Sequence, residues 1–165
     1  MKKIISVLVE NHFGVLTHVS GLFSARGFNI DSLAVGETED PTISRMTIVV
    51  DGDEKTLEQV KKQLNRLIDV IKVIDLTEED SMDRELVLVK ANVDTKTRSE
   101  ILQIADTFEA KIIDVKKDSI IIESTGDHNK IKSFIEMLKP FGILEIVTTG
   151  RIALARGKED NKQKD

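Results

Sequence analysis

At 165 residues, 40% of them apolar and 32% charged, the chain reads as a soluble globular protein of one ordinary domain or two small ones. Its net charge of −5, with lysines scattered among acids, lacks the basic footprint that nucleic acid requires. The absence of cysteine excludes a disulfide framework, thiolate zinc sites and thiol catalysis, and fits a cytoplasmic setting.

Met1-Lys2-Lys3-Ile4 runs directly into a strand pattern, without the apolar run and small-residue cleavage site of a signal peptide. No apolar stretch approaches the roughly 20 residues that span a bilayer. Lys3 to Glu10 is a branched, mostly apolar run that predicts a buried strand. Val15, Leu16, Val19, Leu22 and Phe23 then recur at helical spacing, and Gly27 stands where a left-handed cap ends a helix over about 14–26. Ile30 to Val35 and Ile43 to Val50 predict two strands joined by the polar turn Glu37 to Pro41. Asp53 is a candidate N-cap for a helix whose Leu57, Val60, Leu64 and Leu67 share a face. Val70 to Leu76 closes the unit as a strand.

The order strand–helix–strand–strand–helix–strand is the ferredoxin-like βαββαβ motif. Thr77 to Asp83 is acidic and predicts a linker, after which the order repeats. Leu86 to Val93 is a strand, 96–108 a helix burying Ile101, Ile104, Ala105 and Phe108, and Ile112–Val115 with Ser119–Glu123 a hairpin. Asp127 starts a helix whose Ile131, Phe134 and Leu138 match Leu57, Val60 and Leu64 at the offset of 74 residues that separates Gly52 from Gly126. Pro140 and Gly142 stop it, and Ile143 to Leu154 supplies the last strand. The expected fold class is therefore α+β, with two ferredoxin-like modules in tandem at 1–77 and 84–156. A charged, disordered tail is expected at 157–165. The competing arrangement is one mixed α+β domain of eight strands.

In this motif the second and fourth strands lie at the sheet edges. The second, Ile30 to Val35, has no lysine or proline to protect an edge, so the N-terminal modules are expected to form a homodimer through it.

Catalytic chemistry finds no residues to carry it. The serines sit in no nucleophile elbow, and neither a P-loop lysine nor a dinucleotide glycine fingerprint is present. His12 and His18, six apart, make no helix-face metal pair, and with His128 they are expected to be exposed loop or helix histidines rather than metal ligands. The stretch Asn11 to Leu16 differs, because its parts converge. A glycine turn enters a helix whose first amides have no intrahelical partner and suit a carboxylate. Gly14 admits a ligand close to the main chain, and the Asn11 amide can hold an ammonium or a carboxylate. Val15, Leu16 and Ile30 can enclose a small apolar side chain, while pairing across the dimer brings Asn29 toward the partner's loop. The plain alternative is that Asn11 closes a turn and Gly14 permits it.

These residues resemble an ACT domain, the amino-acid-sensing βαββαβ module. More narrowly, the chain resembles the acetolactate synthase (acetohydroxyacid synthase) small-subunit family. The resemblance rests on Asn11-His12-Phe13-Gly14-Val15-Leu16, on Gly21 to Leu33 and on Pro41 to Thr47. It extends through Arg84 to Lys90, Ile112 to Val115 and Gly150 to Gly157. It implies a non-catalytic regulatory subunit that has no cofactor of its own. Its partner would be the large catalytic subunit, a transferase carrying thiamine diphosphate, Mg and FAD that condenses pyruvate in branched-chain amino-acid biosynthesis. It implies stimulation of that subunit and feedback inhibition by valine, or by isoleucine or leucine. The effector would bind at the ACT dimer interface, with Asn11, Gly14, Val15, Leu16, Asn29 and Ile30 on the contact positions. The alternative is a stand-alone amino-acid-sensing regulator without an enzyme partner.

Overall fold

The structure, a computed structural model, describes residues 1–77 and 80–157. In β1 (Lys2–Glu10), Ile5, Val7 and Val9 alternate onto one face and are buried, the period-2 pattern of a sheet covered by helices. Helix α1 (Val15–Ala25) packs Val15, Val19 and Phe23 into the same cluster. It ends in a Schellman motif: Gly27, at φ 69°, donates to the Ser24 carbonyl and Phe28 to the Phe23 carbonyl. The Phe28 ring then meets Phe23 edge-on, with centroids 6.4 Å apart. The strands β2 (Ile30–Glu37) and β3 (Ile43–Asp51), the helix α2 (Glu54–Leu64) and the strand β4 (Val70–Asp75) complete the motif. The sheet is antiparallel in the order β2-β3-β1-β4, so β2 and β4 are its edges.

The same order returns as β5 (Ser81–Asn92), α3 (Arg98–Thr107), β6 (Lys111–Val115), β7 (Ser119–Gly126), α4 (His128–Leu138) and β8 (Ile143–Thr148). Its main sheet path is β6-β7-β5-β8. The fold is α+β with two ferredoxin-like modules. The repeat holds in three dimensions: Leu57, Val60 and Leu64 are buried in one core and Ile131, Phe134 and Leu138 in the other.

Two boundaries differ from expectation. The acidic stretch before Leu86 is strand from Ser81 onward, so β5 is longer than its apolar run; Glu78 and Glu79 of the expected linker lie outside the described residues. The expected last strand is two, β8 and β9 (Ile152–Ala155), because Gly150 at φ 78° turns the chain between them. The chain divides into two compact units, Met1–Met82 with the segment from Arg151, and Asp83–Gly150. Within the first unit the Arg156 amide donates to the Asp80 carbonyl at 2.8 Å. The tail expected at 157–165 lies, from 158 on, outside the described residues. Among the described residues no helix is long and apolar enough to cross a membrane.

The turns are held by aspartates. Asp53 caps α2 by accepting from the Thr56 amide at 2.8 Å, and Asp127 caps α4 through the Lys130 amide at 2.8 Å. Asp94 accepts from the Lys96 and Thr97 amides before α3. The Thr56 amide holds the Asp53 carboxyl below its ordinary range, and the Thr97 amide followed by that of Lys96 does the same for Asp94. The unfolded chain therefore binds more protons at low pH than the folded one. The stabilisation is complete above the ordinary carboxylate range and is lost as pH falls through the depressed folded values. Urea unfolding midpoints are expected to fall between about pH 5 and pH 2. Asp53→Asn, which keeps a capping acceptor without the charge, is expected to flatten that slope.

Candidate functional site

The loop from Asn11 to Gly14 joins β1 to α1, and Asn11 pins it to the β2–β3 turn. Its amide N–H donates to the Thr42 carbonyl at 2.7 Å. Its side-chain nitrogen donates to the Pro41 carbonyl at 2.9 Å and to Glu37 Oε1 at 3.2 Å. Both side-chain donors are thus engaged, and Oδ1 remains as the group that could accept from an ammonium. Asn11 therefore closes the turn, as the plain alternative expected, with one side-chain acceptor left over.

Gly14 follows at φ 89° and ψ −9°, a left-handed conformation, and a Cβ there would meet nothing within 4 Å. The face over Gly14 is open. No side chain caps α1, and its first turn contains no acidic residue. The Val15 amide reaches the His12 carbonyl only at 3.5 Å. The other helices compensate their N-termini: Asp53 caps α2, Asp127 caps α4, and α3 has Glu100 in its first turn. Among the described α-helices, α1 alone therefore presents its positive end with no side chain of its own to balance it.

The expected contact positions do not all converge within one chain. The Val15 side chain is buried in the core, so its main chain is what it can offer a ligand, whereas Leu16 is 47% exposed. Ile30 is half-buried and packs against that core, and exposed Asn29 donates to Asp31 Oδ1 at 3.3 Å. Asn29 and Ile30 follow the C-terminal end of α1, while Gly14 caps its start. Eleven residues of helix put roughly 16 Å between them. A small ligand cannot bridge that distance inside one subunit.

Beside the loop stands a cluster that chain-order reading missed. The Glu10 amide donates to the Asp69 carbonyl at 2.9 Å, which sets Asp69, just before β4, against the end of β1. Asp69 is buried, and its two carboxylate oxygens meet His12 Nε2 and His18 Nδ1, each at 2.8 Å. Glu10 Oε2 lies 3.7 Å from His12 Nε2. His18 first, and then His12, hold the Asp69 carboxyl below its ordinary range. The Phe13 carbonyl, accepting from His12 Nδ1 at 3.1 Å, is the main cause that raises the imidazole pKa, with Asp69 adding to it. The sequence did carry a signal for this. Asp69 interrupts the apolar run Leu67-Ile68-Asp69-Val70-Ile71, and a carboxylate buried there needs a partner.

Comparison with known proteins bears on both units. Residues 5–72 match the family model described as the AHAS small subunit-like ACT domain, and residues 84–157 match that described as the small subunit of acetolactate synthase. The chain is 52% identical to a probable acetolactate synthase small subunit of Archaeoglobus fulgidus, over 96% of this chain and 99% of that protein. It is 51% identical to the acetolactate synthase small subunit of Mycobacterium leprae, over 93% of this chain and 90% of that protein. Among solved structures, the acetolactate synthase small subunit of Thermotoga maritima superposes with a TM-score of 0.85 at 42% identity, covering 96% and 99% of the two chains.

Proposed function

Because the chain belongs to the acetolactate synthase small-subunit family, whose members are regulatory subunits with an ACT domain, we propose that it senses a branched-chain amino acid for a thiamine-dependent catalytic subunit. It stimulates that subunit and confers feedback inhibition, with valine the leading effector and isoleucine and leucine the alternatives. The transferase chemistry, with thiamine diphosphate, Mg and FAD, belongs to the large subunit.

The start of α1 is the observation that carries the proposal. An uncapped, uncompensated helix N-terminus entered by a glycine with an open face suits the carboxylate of an amino acid. Asn11 Oδ1 can accept from the ammonium, and exposed Leu16 can cover an aliphatic side chain. Asn29 and Ile30, a helix length away, contribute only if a second copy supplies them. Edge strand β2 offers the means. It bulges between Ile30 and Ser32 and then runs in regular register from Leu33 to Glu37, with Val35 48% exposed. Pairing of two β2 strands joins two four-stranded sheets, and the effector sits at that junction.

An effector changes activity only by binding one state of the assembly better than another. A ligand held between two subunits stiffens the junction, and a coupling of about 1–3 kcal/mol changes affinity or activity some 5- to 150-fold. The direct test is to reconstitute the chain with its large subunit and titrate valine, isoleucine and leucine. Stimulation of pyruvate condensation and saturable inhibition by one of the three are expected. A chain that neither co-purifies with nor stimulates the large subunit would favour the stand-alone regulator.

The dimer has its own test. Val35→Lys places a charge on the exposed edge, where lysine discourages strand pairing. Sedimentation velocity is expected to show dimer for the unaltered chain and monomer for the variant, with valine affinity lowered about tenfold or more. A monomeric unaltered chain at micromolar concentration would refute the shared site.

A further inference from the structure

The cluster beside the effector loop contains more than a salt bridge needs. The Phe13 carbonyl can only accept, so His12 Nδ1 carries hydrogen and Nε2 is the nitrogen turned to Asp69. A bare Nε2 lone pair facing a carboxylate 2.8 Å away would be repulsive, so a positive centre belongs between them: a proton or a metal ion. The oxygens and nitrogen of Glu10, His12 and Asp69 all lie within 4.8 Å of one another. Tetrahedral bonds of about 2.0–2.2 Å set neighbouring ligand atoms roughly 3.4 Å apart. The His12–Glu10 separation of 3.7 Å is near that spacing, whereas the His12–Asp69 separation of 2.8 Å is a direct hydrogen bond that opens by about 0.6 Å when an ion replaces the proton.

We propose that Glu10, His12 and Asp69 bind one divalent transition-metal ion of the zinc type, with His18 holding the second Asp69 oxygen. One imidazole and two carboxylates favour zinc over magnesium or calcium, which prefer all-oxygen shells. The surroundings are those of a supported ligand set. His12 donates its other ring nitrogen to a backbone carbonyl, and Asp69 keeps Oδ2 on His18 while Oδ1 turns to the ion. Glu10 and His12 are half exposed, which gives an ion entry and leaves its fourth position to water. The ligands come from the end of β1, the loop and the approach to β4, with α1 joined through His18. One ion therefore ties the effector loop to three elements.

The test is calorimetric titration of zinc chloride into the chelator-treated full chain in a buffer that does not bind zinc. One ion per chain is expected, with Kd in the micromolar range. Asp69→Asn and His12→Gln are expected to weaken binding about tenfold or more, and His18→Gln less, while His128→Gln leaves it unchanged. His18 still pairs the buried Asp69 when exposed His12 is replaced, and far-UV circular dichroism checks that each variant is folded. Absence of saturable binding up to about 100 μM, near −5.5 kcal/mol, overturns the proposal. So does stoichiometric binding that survives His12→Gln. The titration stands apart from the effector proposal, because a chain indifferent to valine can still take up the ion.

Discussion

Replacing Gly14 by aspartate is expected to abolish inhibition by valine while stimulation of the catalytic subunit persists. The φ of 89° at Gly14 costs a side-chain-bearing residue about 1–2 kcal/mol. No atom lies within 4 Å of the added Cβ, so the strain is conformational and the loop has no clash to relieve. The introduced carboxylate stands at the uncapped start of α1, where the positive end of the helix attracts it. It therefore competes for the amides that would otherwise take the effector's carboxylate, and repels that carboxylate as well. A strain of about 1–2 kcal/mol is small beside the stability of a folded domain, so the chain stays folded while the ligand is excluded. A loss of about 3 kcal/mol of binding, more than a hundredfold in Kd, is expected by calorimetry. Gly14→Ala separates the two causes: it carries the φ strain without the charge, and its valine affinity is expected to fall only several-fold. If Gly14→Asp binds valine as the unaltered chain does, the helix start is not the effector site.

The parts of the structure legible in the sequence were those written locally. Asp53 and Asp127 stand one residue before their helices, and the apolar positions after them recur at one offset, so both caps and both helix faces could be placed before any contact was known. The Schellman end of α1 was equally local, because a glycine just past the last periodic apolar residue permits the left-handed conformation that ends a helix. Ser81 to Glu85 did not read as strand because its side chains are mostly polar and charged; its extended form depends on pairing with distant parts of the chain, as the Arg156–Asp80 hydrogen bond illustrates. Ile143 to Leu154 read as one strand because Gly150 alone interrupts a β-forming run, and a single glycine there marks a bulge within one strand as readily as the turn it makes. The histidines are exposed on loop and helix, as expected, but the partner that two of them share was not legible. His12 and His18 are six apart, a spacing that argues against a helix-face pair, yet both reach Asp69 because the third partner arrives from some fifty residues later in the chain. Spacing identifies sites built on one element and misses those assembled from several. The Asn11–Leu16 stretch was recognisable because its glycine, helix start and amide are contiguous. That Asn11 already holds Pro41 and Glu37 was not, since those partners lie across the sheet.

Truncating Phe134 to alanine is expected to unfold the second unit selectively. Phe134 is fully buried, and its ring lies 5.5 Å from that of Phe108 within a cluster that includes Val89, Ile101, Ile122 and Ile131. Phe→Ala in such a core costs about 3–5 kcal/mol, from lost transfer energy and the cavity left behind. A unit of this size has few kcal/mol to lose, and each kcal/mol lowers the melting temperature of a 60–100-residue domain by about 4–8 °C. The two core clusters share no residue, so the damage is confined to one of them. The mirror substitution in the first unit is Phe23→Ala, which removes a 1% exposed ring from the inner face of α1. Both variants are expected to lose comparable stability in calorimetric scans and to differ in function. Phe23→Ala loosens the helix whose start is the proposed effector site, so valine binding should weaken along with folding. Phe134→Ala should leave valine binding to the first unit measurable at temperatures where the second has melted. If Phe134→Ala abolishes valine binding at a temperature where hydrogen exchange shows the first unit still protected, the effector site draws on the second unit and cannot be assigned to the N-terminal sheet alone.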